Sequence, residues 1–176
     1  MEFPKLFNDK FYQECLSFAL QSKGNNERYG SIVVKDGKIL GGGWNRAIAH
    51  PAWPKKLERI IRQGYTNHAE VEALNDVLMN NFQDVEGADI YVAGYFSKTK
   101  QLFFQDAYTC VKCPPKVQEY GIRNIIIPTV DGWKERSIEE ALKEAKDYKI
   151  GGTTQNRLKA CQGDFDIEDF FTQNSF

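Results

Sequence analysis

The chain has almost no charge excess, no long apolar run, no internal repeat and only two histidines. Each scarcity excludes something. A net charge of −1 argues against the broad basic face that grips nucleic-acid backbones, although a local patch stays open. No run approaches the roughly 20 apolar residues of a membrane span, so a membrane partner is not expected. The opening "MEFPKLFNDKFYQEC" is acidic and broken by Pro4. It lacks the basic-then-apolar order of a secretory leader, which favours a cytoplasmic location. The four cysteines, Cys15, Cys110, Cys113 and Cys161, are an even count that two disulfides would satisfy. In a reducing compartment the tight Cys110-x-x-Cys113 reads instead as a metal or redox pair.

A length of 176 residues suits one domain with a sizeable core. Residues 1–150 read as that domain, and 151–176 as an extension packed on it or trailing from it. The spacing predicts a first helix capped by Asn8 or Asp9, with Phe11, Cys15, Phe18 and Ala19 on its buried face and Gly24 at its end. A hairpin follows, Ile32–Val34 and Lys38–Leu40 about the turn Asp36-Gly37. The glycines Gly41, Gly42 and Gly43 either bend the second strand or admit a ligand. Further elements are a short helix opened by Pro54, a helix from His68 to about Asn80, the strand "ADIYVAGYF", and a short strand at Leu102–Phe104. A helix then runs from Cys110 to about Tyr120, followed by the strand "RNIIIPT". A helix capped by Ser137 and Glu140 and a short C-terminal helix near 166–171 complete the order. This is a three-layer α/β/α plan about one mixed five-stranded sheet, the hairpin antiparallel and the later strands parallel.

His68, Cys110 and Cys113 have the softness zinc prefers, and three ligands leave the open position of a catalytic site. A thiol at a helix start is also eased toward the thiolate. Water in the open position would be acidified by the metal. Glu70, two residues after His68, lies where a carboxylate on the first helical turn can take that water's proton and pass it on. Cys15 reads as a small buried hydrophobe, Cys161 has no evident partner, and His50 reads as a loop residue, with a second zinc site at His50 as the sharper alternative. Tyr95 and Phe96 are either core residues or a platform for a base. Trp53, Lys55, Lys56, Arg59 and Arg62 form either a solvated helix or a phosphate-binding rim.

His-Ala-Glu followed by Cys-x-x-Cys resembles the zinc-dependent cytidine and deoxycytidylate deaminase superfamily across about residues 8–150. The resemblance implies a cytidine deaminase-like fold with zinc as cofactor. It also implies hydrolytic loss of ammonia from a nucleobase by attack of zinc-bound hydroxide. It makes His68, Cys110 and Cys113 the ligands, Glu70 the proton shuttle, and Asn45 and the backbone N–H of Ala69 contacts for the substrate. Thr109 stands where the family usually has proline, and the stretch 97–109 is an insertion.

The long segment "RAIAHPAWPKKLERIIRQGYTN" before His68 resembles deoxycytidylate deaminases and points to a small cytosine nucleotide as substrate. "GWNR" also resembles tRNA adenosine deaminases, which makes action on tRNA or single-stranded nucleic acid the alternative. A non-catalytic zinc-binding member is the third reading. Family analogy implies a homo-oligomer.

Overall fold

The computed structural model of the protein describes residues 2–24, 27–47, 66–81, 83–104, 113–147 and 165–174. A 3-10 turn, Lys5–Asn8, leads into α1, Lys10–Gln21. The strands β1 (Glu27–Lys35) and β2 (Lys38–Trp44) follow, then the short β3 (Arg46–Ala47) and β4 (Thr66–Asn67). Helix α2, Ala69–Asp76, continues into a π-helical turn, Val77–Asn81. The remaining elements are β5 (Asp89–Phe96), α3 (Cys113–Gln118), β6 (Asn124–Thr129), β7 (Gly132–Ser137), α4 (Ile138–Asp147) and α5 (Ile167–Gln173).

The five-stranded sheet has the order β2-β1-β5-β6-β7. β1 is antiparallel to both β2 and β5, β5 and β6 are parallel, and β7 is antiparallel to β6. The expected mixed three-layer sheet is present. The expectation that every later strand is parallel is corrected at β7, which returns from β6 through a tight turn rather than a crossover. That strand, "GWKERS", is also one the periodicity does not predict. Its inward residue is Arg136, only 2% exposed and ion-paired with Glu144 of α4, so no apolar alternation marks it.

Strand alternation divides the core into two. From β5, Ile90, Val92 and Phe96 face one layer with Ala73, Leu74 and Val77 of α2, Val117 of α3 and Ile138 of α4. Ala93 and Tyr95 face the other, with Tyr12, Cys15, Leu16 and Ala19 of α1 and Ile167 and Phe170 of α5. Asp9 caps α1, its Oδ1 accepting from the N–H of Phe11 at 2.9 Å and of Tyr12 at 3.0 Å. The buried stripe of α1 is turned slightly from the expected one, since Phe11 and Phe18 are only partly buried. The helix ends at Gln21 rather than at Gly24, because Ser22 is extended and its hydroxyl is engaged elsewhere.

Asp36 and Gly37, both at positive φ (51° and 75°), make the predicted two-residue turn. The three glycines of β2 admit helices, not a ligand. A Cβ on Gly43 would lie 2.8 Å from the Ala73 backbone nitrogen, and one on Gly42 would run into the Phe18 ring. The sheet does bend there, with a register shift between Val33 and Val34.

The segment 97–104 folds back beside β5. Phe96 N–H donates to the Gln101 carbonyl at 2.9 Å, and Phe103 N–H to that of Gly94 at 3.0 Å. Leu102, Phe103 and Phe104 are thereby buried. The C-terminal chain pairs with the same segment, Leu102 N–H donating to Phe165 and Ile167 N–H to Lys100, both at 2.9 Å. Asp166 opens α5 with a reciprocal capping box with Asp169. Ser137 and Glu140 form the other such box, as predicted, at 3.0 and 3.1 Å.

Candidate metal and catalytic site

The chemistry-bearing residues stand where two helices begin. β4 pairs with β3, placing Asn67 opposite Arg46 and delivering the chain to His68. His68 is the N-cap residue of α2, with extended backbone (φ −75°, ψ 155°) and a half-buried ring. Glu70 lies on the first turn of α2 and is only 6% exposed. Unpaired N–H groups at a helix start favour a carboxylate there. Ala69 is buried, and as the first helical residue its N–H has no acceptor within the helix.

The second helix start is that of α3. Cys113 is 1% exposed, Pro114 and Pro115 occupy the first turn, and Val117 anchors the helix in the core. Proline suits that turn because its missing N–H would have no helical partner there. Across this gap the Cys113 Sγ lies 3.2 Å from His68 Nδ1. One ligand-type atom from each of His68, Glu70 and Cys113 falls within 4.8 Å of the others, the metal-capable group among the described residues. Cys110 lies outside the described residues, as do His50, Trp53, Lys55, Lys56, Arg59, Arg62, Thr109 and Cys161.

Asn45 follows β2 and is knotted into the protein rather than held out toward a cavity. Its Oδ1 accepts from the Ser22 hydroxyl at 2.7 Å and the Tyr29 N–H at 2.8 Å, while its Nδ2 donates to the Glu27 carbonyl at 3.0 Å. This leaves one amide hydrogen as its means of contacting a substrate. Ser22, which sequence reasoning passed over, is the partner that closes this knot. Its role depends on α1 meeting the end of β2, which no local pattern announces. Tyr95 and Phe96 are 2% and 3% exposed and serve the core, not a base platform. Burial pushes the Cys15 thiol well above the ordinary thiol range, so Cys15 is the inert hydrophobe its position suggested.

Residues 7–129 match the family described as the cytidine and deoxycytidylate deaminase zinc-binding region. The chain belongs to this family. It is accordingly a zinc-binding hydrolase of the nucleoside and nucleotide deaminases. Imidazole and thiolate are donors zinc favours. The observed 3.2 Å also approaches the ~3.6 Å between nitrogen and sulfur on a tetrahedral zinc, so the deaminase's donor set fits the metal. No curated protein matches the chain.

Among solved structures, the deoxycytidylate (dCMP) deaminase of cyanophage S-TIM5, in complex with dCMP and dUMP, is similar at 19% identity and a TM-score of 0.50. The match covers 72% of this chain and 83% of that one. Its apo form gives 18%, 0.49, 72% and 84% in the same order. A diaminohydroxyphosphoribosylaminopyrimidine deaminase/reductase from Thermotoga maritima gives 22% and 0.42, over 69% of this chain and 29% of that one. At such identities the complexed phage enzyme supports the shared fold.

Among the described residues, no helix of the deaminase is long and apolar enough to cross a membrane.

Proposed function

We propose that this deaminase converts a cytosine nucleotide such as deoxycytidylate to the uracil nucleotide, with Glu70 as proton shuttle and zinc held by His68, Cys110 and Cys113. The observation that carries the reading is the meeting of His68 Nδ1, Cys113 Sγ and the buried Glu70 carboxylate at two helix starts. Zinc, when bound, supplies the Lewis acidity that makes water nucleophilic at neutral pH.

The protein's residues then do the rest. Nδ1 is the His68 nitrogen turned toward Cys113, and to hold the metal there the ring would carry its proton on Nε2. Glu70 accepts a proton from water at a carboxylate oxygen. As the water oxygen bonds to the ring carbon, Glu70 returns the proton to the exocyclic nitrogen, the bond from that carbon to the exocyclic nitrogen breaks, and ammonia leaves. The Ala69 N–H, unpaired within α2, is placed to donate to a polar edge of the base. Asn45 contributes its remaining amide hydrogen to the sugar or base, and its knot with Ser22 and Tyr29 holds that rim in place.

The same reading takes residues 1–150 as the deaminase domain and 151–176 as an extension of it. The burial of Ile167 and Phe170 beside Phe7 and Tyr12 supports this. Family analogy adds a cytoplasmic, self-associating enzyme, which gel filtration of the purified protein tests.

The test of the reaction is a substrate panel. Zinc-loaded protein is incubated with cytosine and adenine bases, nucleosides, nucleotides, tRNA and single-stranded DNA, and ammonia is followed. Release from a cytosine nucleotide is expected. Release from tRNA or single-stranded DNA alone transfers the activity to nucleic acid, and release from none overturns the enzymatic reading.

A further inference from the structure

The fold-back after β5 is bonded along both of its edges. Toward β5, it accepts at Gln101 from Phe96 N–H and donates from Phe103 N–H to the Gly94 carbonyl. Toward the C-terminal chain, it donates from Leu102 N–H to Phe165 and accepts at Lys100 from Ile167 N–H. Successive residues turn their backbone groups to opposite sides, as in a strand flanked by two others. Residues 100–103 thus extend the sheet where β6, paired with β5 only from Asp89 to Tyr91, does not reach. Residues 165–167 close the new edge, with Asp166 bridged to Gln101.

The side chains of the fold-back alternate as well. Leu102 and Phe104 join the layer of α1 and α5. Phe103 enters the opposite layer, the one that holds Ala73 and Leu74 of α2 and Val117 of α3. Its ring lies 4.4 Å from that of Phe96 and 5.0 Å from that of Tyr29. The C-terminal chain is itself firmly seated. Phe170 meets Phe7 edge-on at 5.4 Å, and Asn174 donates to the Phe7 carbonyl at 2.9 Å while accepting from Gln13 at 2.8 Å. Were residues 165–167 to leave, the N–H of the fully buried Leu102 would lose its acceptor.

We propose that the C-terminal segment 165–174 is a clamp for the zinc site, with Ile167 as a positioning residue. It holds the fold-back, and the fold-back fixes where the chain that brings Cys113 to His68 sets out. The proposal rests on the reading of His68 and Cys113 as zinc ligands. Anchored at Phe104, the chain has residues 105–112 to span before Cys113; freed after Phe96, it has residues 97–112, about twice as many. Doubling a flexible connection lowers the equilibrium for closing it by about threefold. Loss of Phe103 from the layer of α2 and α3 adds to this.

Zinc affinity, rather than turnover, is the readout. The full-length protein competes for zinc with a chromophoric chelator, well below its melting temperature. Ile167→Pro removes the N–H that Lys100 accepts, yet it suits α5. Ile167 is the first helical residue, and Asp166 before it is already extended (φ −117°, ψ 176°). Its zinc affinity should fall by about threefold or more, whereas Ile167→Val should match the wild type. Val34→Ala cuts into the same apolar layer as Ile167, at the end of β1 remote from the fold-back. It should lower the melting temperature and leave zinc affinity unchanged. Wild-type zinc affinity in Ile167→Pro, or an equal loss in Val34→Ala, makes the segment merely structural and overturns the proposal. A second measurement needs no variant. Coupling is reciprocal, so chelating zinc from the wild type should speed hydrogen exchange at Leu102 and Ile167 by about threefold or more relative to the β1–β2 hairpin. Exchange there that rises no more than in the hairpin overturns the proposal, even if Ile167→Pro fails to fold. A wild type that holds no zinc overturns the zinc reading together with this one. Zinc held equally well with and without the clamp overturns this one alone.

Discussion

His68 Nδ1 and Cys113 Sγ lie 3.2 Å apart although the whole of α2, strand β5 and a fold-back separate them in the chain. Neither residue is informative alone. Their meeting, with the Glu70 carboxylate beside them, makes a metal-capable group, in which the proposed reading separates two ligands from one proton carrier.

That distinction is testable. Cys113→Ser and His68→Ala should lose zinc from about one ion per chain to a small fraction, measured by metal analysis after gel filtration, because each removes one of the three proposed protein ligands. Glu70→Gln should keep its zinc and lose turnover by about 10²–10⁴-fold, the range of general acid–base effects. Full metal content in Cys113→Ser would remove that residue from the ligand set. Near-normal turnover in Glu70→Gln would remove the carboxylate from its role.

Gly43 reaches the site through packing. With only 2.8 Å between the place a methyl group would take and the α2 backbone, Gly43→Ala must push α2 off β2. Overpacking of this kind costs about 1–3 kcal/mol. The displaced helix carries His68 and Glu70, so zinc affinity should fall together with the melting temperature. A Gly43→Ala protein with wild-type melting temperature and metal affinity would show that the contact is slack.

The parts of this molecule that read out of the sequence are those with local causes. The Asp36-Gly37 turn, the Asp9 cap and the Ser137–Glu140 box each need only a few adjacent residues, and each stands where predicted. His-Ala-Glu and Cys-x-x-Cys were legible because metal chemistry restricts residue type and spacing together. Strand β7 was not, because its buried position is filled by Arg136 and becomes tolerable only through Glu144 of the next helix. Asn45 was half legible. Its place after β2 was clear, but its commitment to Ser22 and Tyr29 arises from tertiary approach.

The Arg136–Glu144 pair offers its own check. Arg136→Ala removes a fully buried side chain and the cation facing Glu144. A loss of about 3 kcal/mol is expected, toward the lower end for broken buried pairs because Glu144 is 30% exposed. Denaturant unfolding of the variant measures it. A loss below about 1 kcal/mol would class the pair with ordinary surface bridges.

Among the described residues, a polar atom in the aromatic layer under α1 finds nothing to bond. Tyr12 is fully buried, stacked on Phe7 and Phe104, and its hydroxyl has no hydrogen-bond partner among the described residues. Burial, with a smaller contribution from the neighbouring Cys15 thiol, pushes its ionisation well above the ordinary tyrosine range. Tyr12→Phe removes an unsatisfied group while keeping the ring, so it should stabilise the protein by about 1 kcal/mol. The pH dependence follows from the direction of the shift. A tyrosine whose folded pKa is raised loses its proton first in the unfolded chain, so its stabilising contribution is whole below about pH 10 and falls as pH rises beyond it. Phenylalanine has no such loss. The melting-temperature gap between Tyr12→Phe and wild type should therefore be positive at pH 8 and widen between about pH 10 and 11. A variant that melts lower than wild type at pH 8, or a gap that does not widen, would mean that the hydroxyl is satisfied in solution.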